Sequence, residues 1–600
     1  MLRHCLLSLS LLAACGGTAL AEQASLQPDV VVTATRVAQT VESTLADVSV
    51  ITRRDIDASV ARDISDLLRL QAGIDIARTG GPGGQTSIFL RGTNNNHVLV
   101  LIDGVRVSSL NTGVFTWETL PLATVERIEI VRGPRASYWG SDAIGGVVQI
   151  FTRRLDGPRV ALGYGSHGDA QADAGIGRRG EQGGFSVQAG TRDYEGFPSQ
   201  NENGFGFEDR NHGLRNRHVS ARADRRIGES TIEGTWVRSQ GTAEFAGGYS
   251  DFTEQALNAA WNGEISPGWQ YRLSFGQASE DYSTPAFFTR FRTRRNMFGW
   301  QNRVSLGAAQ QLVLGLDHVR ETGENRDTFS NTPTYRESRN DTGLYAGWQG
   351  TAGAFTGEAS LRVDDNSLFA DQTTGSVAAG WQVNERLRSY ASYGLGFRGP
   401  TLNEQYSPGY GGLYAGNPDL KPEDSRSAEL GIEFTPAPGQ WVKANLYTTR
   451  ISNLISFSGV DFRAENVARA RIDGSELGYE RQLGEWRMAS SFTWQDPRNE
   501  DTGSVLLRRP RQKLSATLER ALGDSLRVGA ELVYSGSRRD VAEIDLPGYA
   551  LVNLRASWDL ATDWKVRARI ENLADKDYEL AHGYNTPGRS GFLEVVWTAR

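Results

Sequence analysis

The chain has 600 residues, of which 39% are hydrophobic and 68 are glycine, and its formal net charge is −7. Beyond residue 21, no segment approaches the roughly 20 consecutive apolar residues that a membrane-spanning helix needs, so a membrane role would have to use strands. The negative charge and the scattered arginines give no support to nucleic-acid binding.

Residues 1–21 have the pattern of a secretory signal peptide. Arg3 precedes an apolar stretch, and Ala19-Leu20-Ala21 forms a small-residue cleavage site. A second interpretation is a lipoprotein signal, in which Cys15 would be acylated. Both cysteines, Cys5 and Cys15, lie inside the signal. Cleavage after Ala21 therefore leaves a mature chain without thiols or disulfides.

The next segment, residues 22–40, contains the strand-forming run PDVVVTATR at residues 28–36. The polar stretch before this run offers no hairpin partner. We interpret the run as a strand whose partner lies on another protein, because strand addition uses main-chain hydrogen bonds and tolerates many side chains. The second interpretation is an edge strand of the domain that follows.

Residues 41–154 predict a small domain of mixed helices and strands. Residues 62–71 have apolar residues at helical spacing, and Gly73 lies just beyond the predicted end. A strand from Ser87, a turn at residues 92–96, a second strand, the hairpin pair Asp103-Gly104 and a third strand follow. This pattern indicates an α/β domain with its own core.

Residues 155–600 consist of segments in which polar and apolar residues alternate, as in strands with one wet face. Short turns centre on Gly484, Gly523 and Ala561, which are 39 and 38 residues apart, and long polar loops separate them. This rhythm predicts an all-β transmembrane barrel of about 22 antiparallel strands. Because so wide a barrel has an open lumen, we expect residues 41–154 to plug it.

Several motifs occur in an order that resembles the TonB-dependent outer-membrane receptors. The motifs are LRG at residues 90–92, VLVLIDGV at 98–105, VRGPRASYWGSDAIGGVVQI at 131–150, FRGP at 397–400, NPDLKPE at 417–423 and ENLADKDY at 571–578. The resemblance implies a plugged barrel in the outer membrane of a Gram-negative bacterium, in contact with its lipid. It also implies energy coupling by TonB, with ExbB and ExbD, through a TonB box formed by Asp29, Val30, Val31, Val32, Thr33 and Ala34.

Within that family, residues 87–94 with His97, and residues 506–509, are most similar to the cobalamin receptors. The resemblance implies import of cobalamin or a related corrinoid; the alternative is a receptor for an iron-siderophore or another metal chelate. Amide and hydroxyl groups suit a ligand edged with carboxamides. The predicted substrate-binding residues are Ser87, Asn94, Thr112, Gly113 and Arg508. Turn formation accounts equally well for Asn95 and Asn96, and a solvated loop arginine is the alternative for Arg508.

Three charged plug residues, Glu129, Arg132 and Arg135, are predicted to hold the plug by pairing with the barrel wall. A calcium ion could bind Asp209 and Asn211 in a loop rich in hard oxygen ligands, although a plain polar loop is the simpler interpretation. No enzyme activity is expected, because the sequence lacks H-E-x-x-H and G-x-S-x-G motifs. The G-x-G-x-x-G match at residues 394–399 runs into Pro400 where a dinucleotide site needs a helix.

Overall fold

The computed structural model describes residues 31–32, 35–37, 39–59, 61–409, 413–458 and 462–599. The predicted signal peptide lies outside the described residues. The same holds for four of the predicted TonB-box residues, Asp29, Val30, Thr33 and Ala34. Among the residues that are described, no helix is both long and apolar enough to cross a membrane.

The N-terminal part is a small α/β domain, the plug. Its five-stranded sheet has the order β3-β8-β9-β6-β7, in which only β6 and β9 run parallel. The elements are β1 (Val31–Val32), β2 (Gln39–Thr40), β3 (Val48–Ile51), α1 (Arg53–Ala58), α2 (Ile64–Leu68), β4 (Ile74–Arg78), β5 (Thr86–Leu90), β6 (Val98–Ile102), β7 (Val105–Arg106), β8 (Val125–Arg132), α3 (Ala136–Trp139) and β9 (Gly146–Thr152).

Local signals in the sequence explain these plug elements. Helix α2 begins where the Asp63 side chain accepts a hydrogen bond from the Asp66 backbone N–H, which caps the helix. The hairpin between β6 and β7 turns on Asp103 and Gly104, whose φ angles of 47° and 86° are those of the predicted two-residue turn. The apolar residues of the sheet and helices form two buried clusters, and the larger of these also includes residues of the barrel wall.

The strand-forming run near the N-terminus differs from expectation. Val31 and Val32 pair with Thr40 and Gln39 in a two-stranded ribbon that is separate from the plug sheet. The expectation of a strand without a partner in its own chain is therefore wrong, because the partner lies downstream of the run and not in the polar stretch before it. A ribbon of two residues per strand has few main-chain hydrogen bonds to lose, and so it can be exchanged for another strand.

The remainder is a closed antiparallel barrel of 22 strands, as predicted, with the first strand paired to the last. Its strands are β10 (Gly157–Gly165), β11 (Asp169–Gly180), β12 (Gly183–Phe197), β13 (His212–Ile227), β14 (Ser230–Phe245), β15 (Gly248–Ser266), β16 (Trp269–Thr284), β17 (Thr289–Ser305), β18 (Gln310–Asp327), β19 (Thr332–Ala352), β20 (Phe355–Asn366), β21 (Gln372–Asn384), β22 (Leu387–Arg398), β23 (Glu423–Ala437), β24 (Gln440–Ser458), β25 (Arg463–Leu483), β26 (Trp486–Asn499), β27 (Gln512–Leu522), β28 (Leu526–Ser535), β31 (Tyr549–Ala561), β32 (Trp564–Glu571) and β33 (Ser590–Thr598). A helix α4 (Leu402–Tyr406) and a ribbon of β29 (Arg538–Arg539) and β30 (Asp545–Leu546) lie in loops.

The two ends of the barrel differ. At the short-turn end, consecutive strands are joined within the described residues by turns of two to four residues, including those at Gly484 and Gly523. At the long-loop end the connections vary, from two residues between β14 and β15 to residues 399–422 between β22 and β23. Outer-membrane barrels place their short turns on the periplasmic side. Outward side chains such as Leu162, Ile176 and Leu361 are apolar and exposed, as contact with lipid requires.

Candidate ligand-binding face and coupling segment

The plug presents two loops toward the long-loop end of the barrel, residues 91–97 and 108–116. Gly113 shows how close these loops are to the wall, because a Cβ atom there would lie 2.8 Å from Thr401 Cγ2 and 3.2 Å from Asn96 Cβ. Its φ of 78° is also one that glycine adopts without strain. The structure therefore brings both plug loops and one barrel loop together at a single face.

The first loop is held by its own asparagine and histidine side chains. Asn95 Oδ1 accepts a hydrogen bond of 3.0 Å from the Ile88 backbone N–H, which gives Asn95 a role in the turn itself. His97 Nε2 lies 2.6 Å from Glu423 Oε2, and Arg398 donates hydrogen bonds to both oxygens of the Glu423 carboxylate. The base of the loop is thus fixed to the barrel wall.

The second loop is held by the barrel loop that carries helix α4. The backbone N–H groups of Leu402 and Asn403 donate to the carbonyl oxygens of Leu110 and Asn111 at 3.1 Å each. Tyr335 donates its hydroxyl to Asn111 Oδ1 at 3.1 Å. A displacement of this barrel loop would therefore act directly on the plug.

The predicted substrate-binding residues occupy different positions on this face. Ser87 is half-buried on β5, Asn94 begins the turn of the first loop, and Thr112 is exposed at the tip of the second loop beside Gly113. Arg508 lies apart from them. Its Nε binds Asp540 Oδ1 at 2.6 Å and its backbone N–H donates to Arg539, so Arg508 joins two barrel loops to each other.

The neighbouring Arg509 reaches the plug, and sequence reasoning did not select it. Its Nη2 donates to Asn94 Oδ1 at 2.6 Å, its Nε donates to the Gly92 carbonyl at 3.0 Å, and its guanidinium lies 4.2 Å from the Phe89 ring centroid. Arg508 has a φ of 65°, and this left-handed residue directs the next side chain inward. The sequence signal was a pair of adjacent arginines, and this pair does not indicate which of the two faces the plug.

Arg91 forms several ion pairs between the plug and the wall, although it was not among the residues predicted from the sequence. Its guanidinium binds Glu429 of β23 at 3.0 Å and Glu476 of β25 at 2.8 Å, and it binds Asp47 of the plug at 2.8 Å. The Tyr447 ring lies 4.4 Å from this guanidinium. A single buried side chain thus bridges the plug to two strands of the wall.

The three predicted latch residues are arranged differently. Arg135 reaches the wall, where its Nη1 lies 3.8 Å from Glu358 Oε1. Arg132 binds the Ser49 hydroxyl and the Ala72 carbonyl, both in the plug. Glu129 pairs with Arg127 of the same strand. Arg132 therefore orders the plug beside Asp47, whereas Arg91 and Arg135 are among the plug residues that reach the wall.

The predicted calcium ligands, Asp209 and Asn211, are exposed in the loop between β12 and β13. Glu208, the neighbouring carboxylate, binds Arg210 at 2.8 Å and lies 3.3 Å from His212. Within the described part of the chain, no group of three or more His, Cys, Asp or Glu side chains could hold a metal ion. Ligand type remains the only argument for calcium at this loop.

The segment that follows the predicted TonB box is docked against the inside of the barrel. The Arg36 guanidinium binds both oxygens of Asp317 on β18, at 2.8 and 2.7 Å. It also lies between the rings of Tyr345 on β19 and Trp139 on plug helix α3, 4.6 and 4.5 Å from their centroids. Val37 is buried beside it. The docking thus depends on contacts with both the wall and the plug.

Comparison with known proteins agrees with this architecture. The family model for the TonB-dependent receptor plug domain matches residues 40–147, and that for the TonB-dependent receptor-like beta-barrel matches residues 177–573. The chain is 30% identical, over 94% of its length and 95% of the relative's, to the vitamin B12 transporter BtuB of Photobacterium profundum.

Solved structures of similar fold include two receptors at low sequence identity. The ferric enterobactin receptor PfeA of Pseudomonas aeruginosa is 20% identical, with a TM-score of 0.80 over 95% of this chain and 100% of that one. The siderophore receptor PirA of Acinetobacter baumannii is 17% identical, with a TM-score of 0.78 over 92% and 98%. At these identities the likeness establishes the fold alone.

Proposed function

The chain belongs to the TonB-dependent receptor family of outer-membrane transporters, and from this premise we propose that it imports cobalamin or a related corrinoid into the periplasm. The observation that carries the proposal is the 30% identity, along almost the whole chain, to a vitamin B12 transporter. The siderophore receptors of similar fold carry no comparable weight, because their identity is 20% or less.

The chemistry of the plug face supports a corrinoid. Asn94, Asn96 and Thr112 supply amide and hydroxyl groups at the two plug loops, and such groups both donate and accept hydrogen bonds. A corrinoid is edged with amide side chains that need both kinds of partner. Arg509 adds a cation on the wall beside Asn94. We assign ligand contact to this face, including the predicted residues Ser87, Gly113 and Arg508.

A short chain of contacts links that face to the coupling segment. At the base of the barrel loop that holds the plug, the Gly399 backbone N–H donates to Ser141 Oγ at 3.0 Å, and the Asp142 N–H donates to the Phe397 carbonyl at 3.0 Å. Trp139 precedes these plug residues and packs on Arg36. In our proposal, ligand binding shifts this loop, moves Trp139 and weakens the docking of Arg36.

Release of that segment would make the strand at Val31 and Val32 available to TonB, which with ExbB and ExbD supplies the energy of transport. TonB would add a strand in place of the short β1–β2 ribbon. The main-chain bonds gained would replace those of a ribbon only two residues long.

The direct test is an equilibrium titration of the purified, detergent-solubilised protein with cyanocobalamin, and in parallel with ferric enterobactin. We expect saturable binding of cyanocobalamin at micromolar concentration or below, and weaker binding of the iron chelate. Binding of ferric enterobactin with no binding of cyanocobalamin would replace the corrinoid by the iron-siderophore alternative.

A further inference from the structure

A cavity of about 540 Å³ lies between the plug and the barrel wall. On the plug side it is lined by helix α1, the chain after it, residues 118–123 and Arg153. Strands β10 to β13, β27, β28 and β31 to β33 form the other side. Lys565 and Arg527 of the lining adjoin short turns, so the cavity reaches the periplasmic rim. A ligand leaving the plug for the periplasm could pass this space.

The lining of this cavity is strongly basic. Eleven arginine and lysine side chains and six aspartate and glutamate side chains face it, although the whole chain has a net charge of −7. Protein walls of low dielectric constant concentrate the field of such a cluster in the space that they enclose. The cavity is therefore suited to an anion.

Most of the acidic side chains are already bound to particular basic partners. Four of the acidic side chains form five such pairs: Asp57 with Arg53 and Arg567, Glu594 with Arg567, Glu519 with Arg555, and Asp173 with His218. Most of the other lining cations pair with carboxylates just outside the lining, namely Arg62 and Arg569 with Glu571, Arg192 with Asp169, and Arg527 and Lys565 with Asp559. Two lining arginines differ from these. Arg159 is buried and forms no ion pair with any residue that the structure describes, and within the same described part Arg153 Nη1 is buried without a hydrogen-bond partner.

The environment of Arg153 reflects this excess of positive charge. Burial, together with the nearby guanidinium groups of Arg53 and Arg159, lowers the pKa of Arg153 to about 9. An anion beside the Arg153 guanidinium would stabilise its charged form. Arginine is also the side chain whose fork of N–H donors best matches phosphate oxygens.

We infer that Arg153 and Arg159 form a transit site in this cavity for the phosphodiester group of the corrinoid as it leaves the barrel. The inference rests on the proposed function, which supplies the substrate. The cavity is too small to enclose a whole corrinoid, so it receives one projecting group, and the phosphodiester of the nucleotide arm is the anionic one.

Uptake by whole cells tests the substrate role of the site. Arg153→Gln and Arg159→Gln, singly and together, should leave cyanocobalamin affinity unchanged but slow its uptake by about tenfold, the factor expected for one lost charge-assisted hydrogen bond. Uptake of dicyanocobinamide, the corrinoid without the phosphodiester, should stay at the wild-type rate. Arg153→Lys, which keeps the charge, should recover most of the loss.

The matched control is Arg54→Gln, which removes a lining arginine whose side chain is 68% exposed; its uptake of both corrinoids should be normal. Equal slowing of both corrinoids by the Arg153 and Arg159 variants would overturn the inference, as would slowing of neither. Absence of cyanocobalamin binding by the wild type would instead refute the proposed function.

A second measurement tests the anion site without any corrinoid. Crystals of the mature protein soaked in selenate should give an anomalous selenium peak within hydrogen-bond distance of Arg153 Nη1, and the peak should disappear in Arg153→Gln. No peak in the wild type, or an unchanged peak in the variant, would overturn the site. A selenate peak without discrimination between the two corrinoids would reduce it to an adventitious ion only.

Discussion

The pair between Arg36 and Asp317 is predicted to hold the coupling segment in its docked state, and Asp317→Asn tests this. The two hydrogen bonds at 2.8 and 2.7 Å are charge-assisted, and each such bond contributes about 1.5–3 kcal/mol. Asparagine can still accept one of them, so we expect a net loss of about 2–3 kcal/mol. That loss raises the ratio of undocked to docked segment by roughly 30- to 150-fold.

Asp317 has a second basic partner, Arg362, which the substitution also affects. Arg362 binds Asp317 at 2.8 Å and also binds Asp364, so it keeps a carboxylate partner after the substitution. The barrel wall should therefore stay intact, and the effect should be confined to the segment. Arg36→Gln, which removes the other partner, should release the segment to a similar extent.

The assay is the mobility of a spin label on Thr33→Cys in isolated outer membranes, without ligand. Both native cysteines lie in the predicted signal, so the label is unique after cleavage at Ala21. We expect the mobile component of the spectrum to become dominant in Asp317→Asn. The control is Asp365→Asn, an exposed carboxylate on β20. Spectra of Asp317→Asn and wild type that superimpose would refute the docking role of the pair.

Three further predictions concern the plug. Arg91→Met leaves Glu429 and Glu476 buried without their shared cation, which should lower the stability of the docked plug by about 3–5 kcal/mol. Cells should then become sensitive to vancomycin, because the loosened plug no longer closes the barrel. Unchanged resistance would count against the role of Arg91 as a bridge. Burial raises the pKa of the Glu118 carboxyl from its ordinary 4.5 to about 8. The folded protein therefore holds a proton that the unfolded chain has lost, and resistance to urea should decline from pH 4.5 toward pH 8. Glu118→Gln should make that decline smaller, and an identical pH profile in this variant would contradict the prediction. Arg509→Gln should weaken cyanocobalamin binding about tenfold, as loss of one charge-assisted hydrogen bond predicts, whereas equal affinity would exclude contact with the ligand.

The sequence predicts the architecture well because each part carries a local signal. The alternation of polar and apolar residues and the spacing of the short turns predicted the number of strands. Both follow from barrel geometry, in which each strand has a polar side toward the lumen and an apolar side toward lipid. Asp103-Gly104 predicted a hairpin because few dipeptides adopt two positive φ angles. Such features depend on neighbouring residues and can be recognised without the fold.

The contacts across the gap between plug and wall could not be predicted in the same way. Arg91 meets Glu476 from 385 residues away, and nothing local to either residue reports the pairing. The ribbon at Val31 was missed because its partner, Gln39–Thr40, is only two residues long and gives no periodic pattern. Arg509 was missed because one positive φ angle at Arg508 decides which of two adjacent arginines faces the plug.

Uptake of radiolabelled cyanocobalamin reports ligand identity and energy coupling in a single measurement. It is measured in cells that express the protein and lack any other corrinoid transporter. We expect accumulation that requires TonB and is abolished by deletion of residues 29–35, while binding of cyanocobalamin to the same cells persists. No accumulation above cells without the protein, or accumulation that survives both the loss of TonB and the deletion, would contradict this expectation.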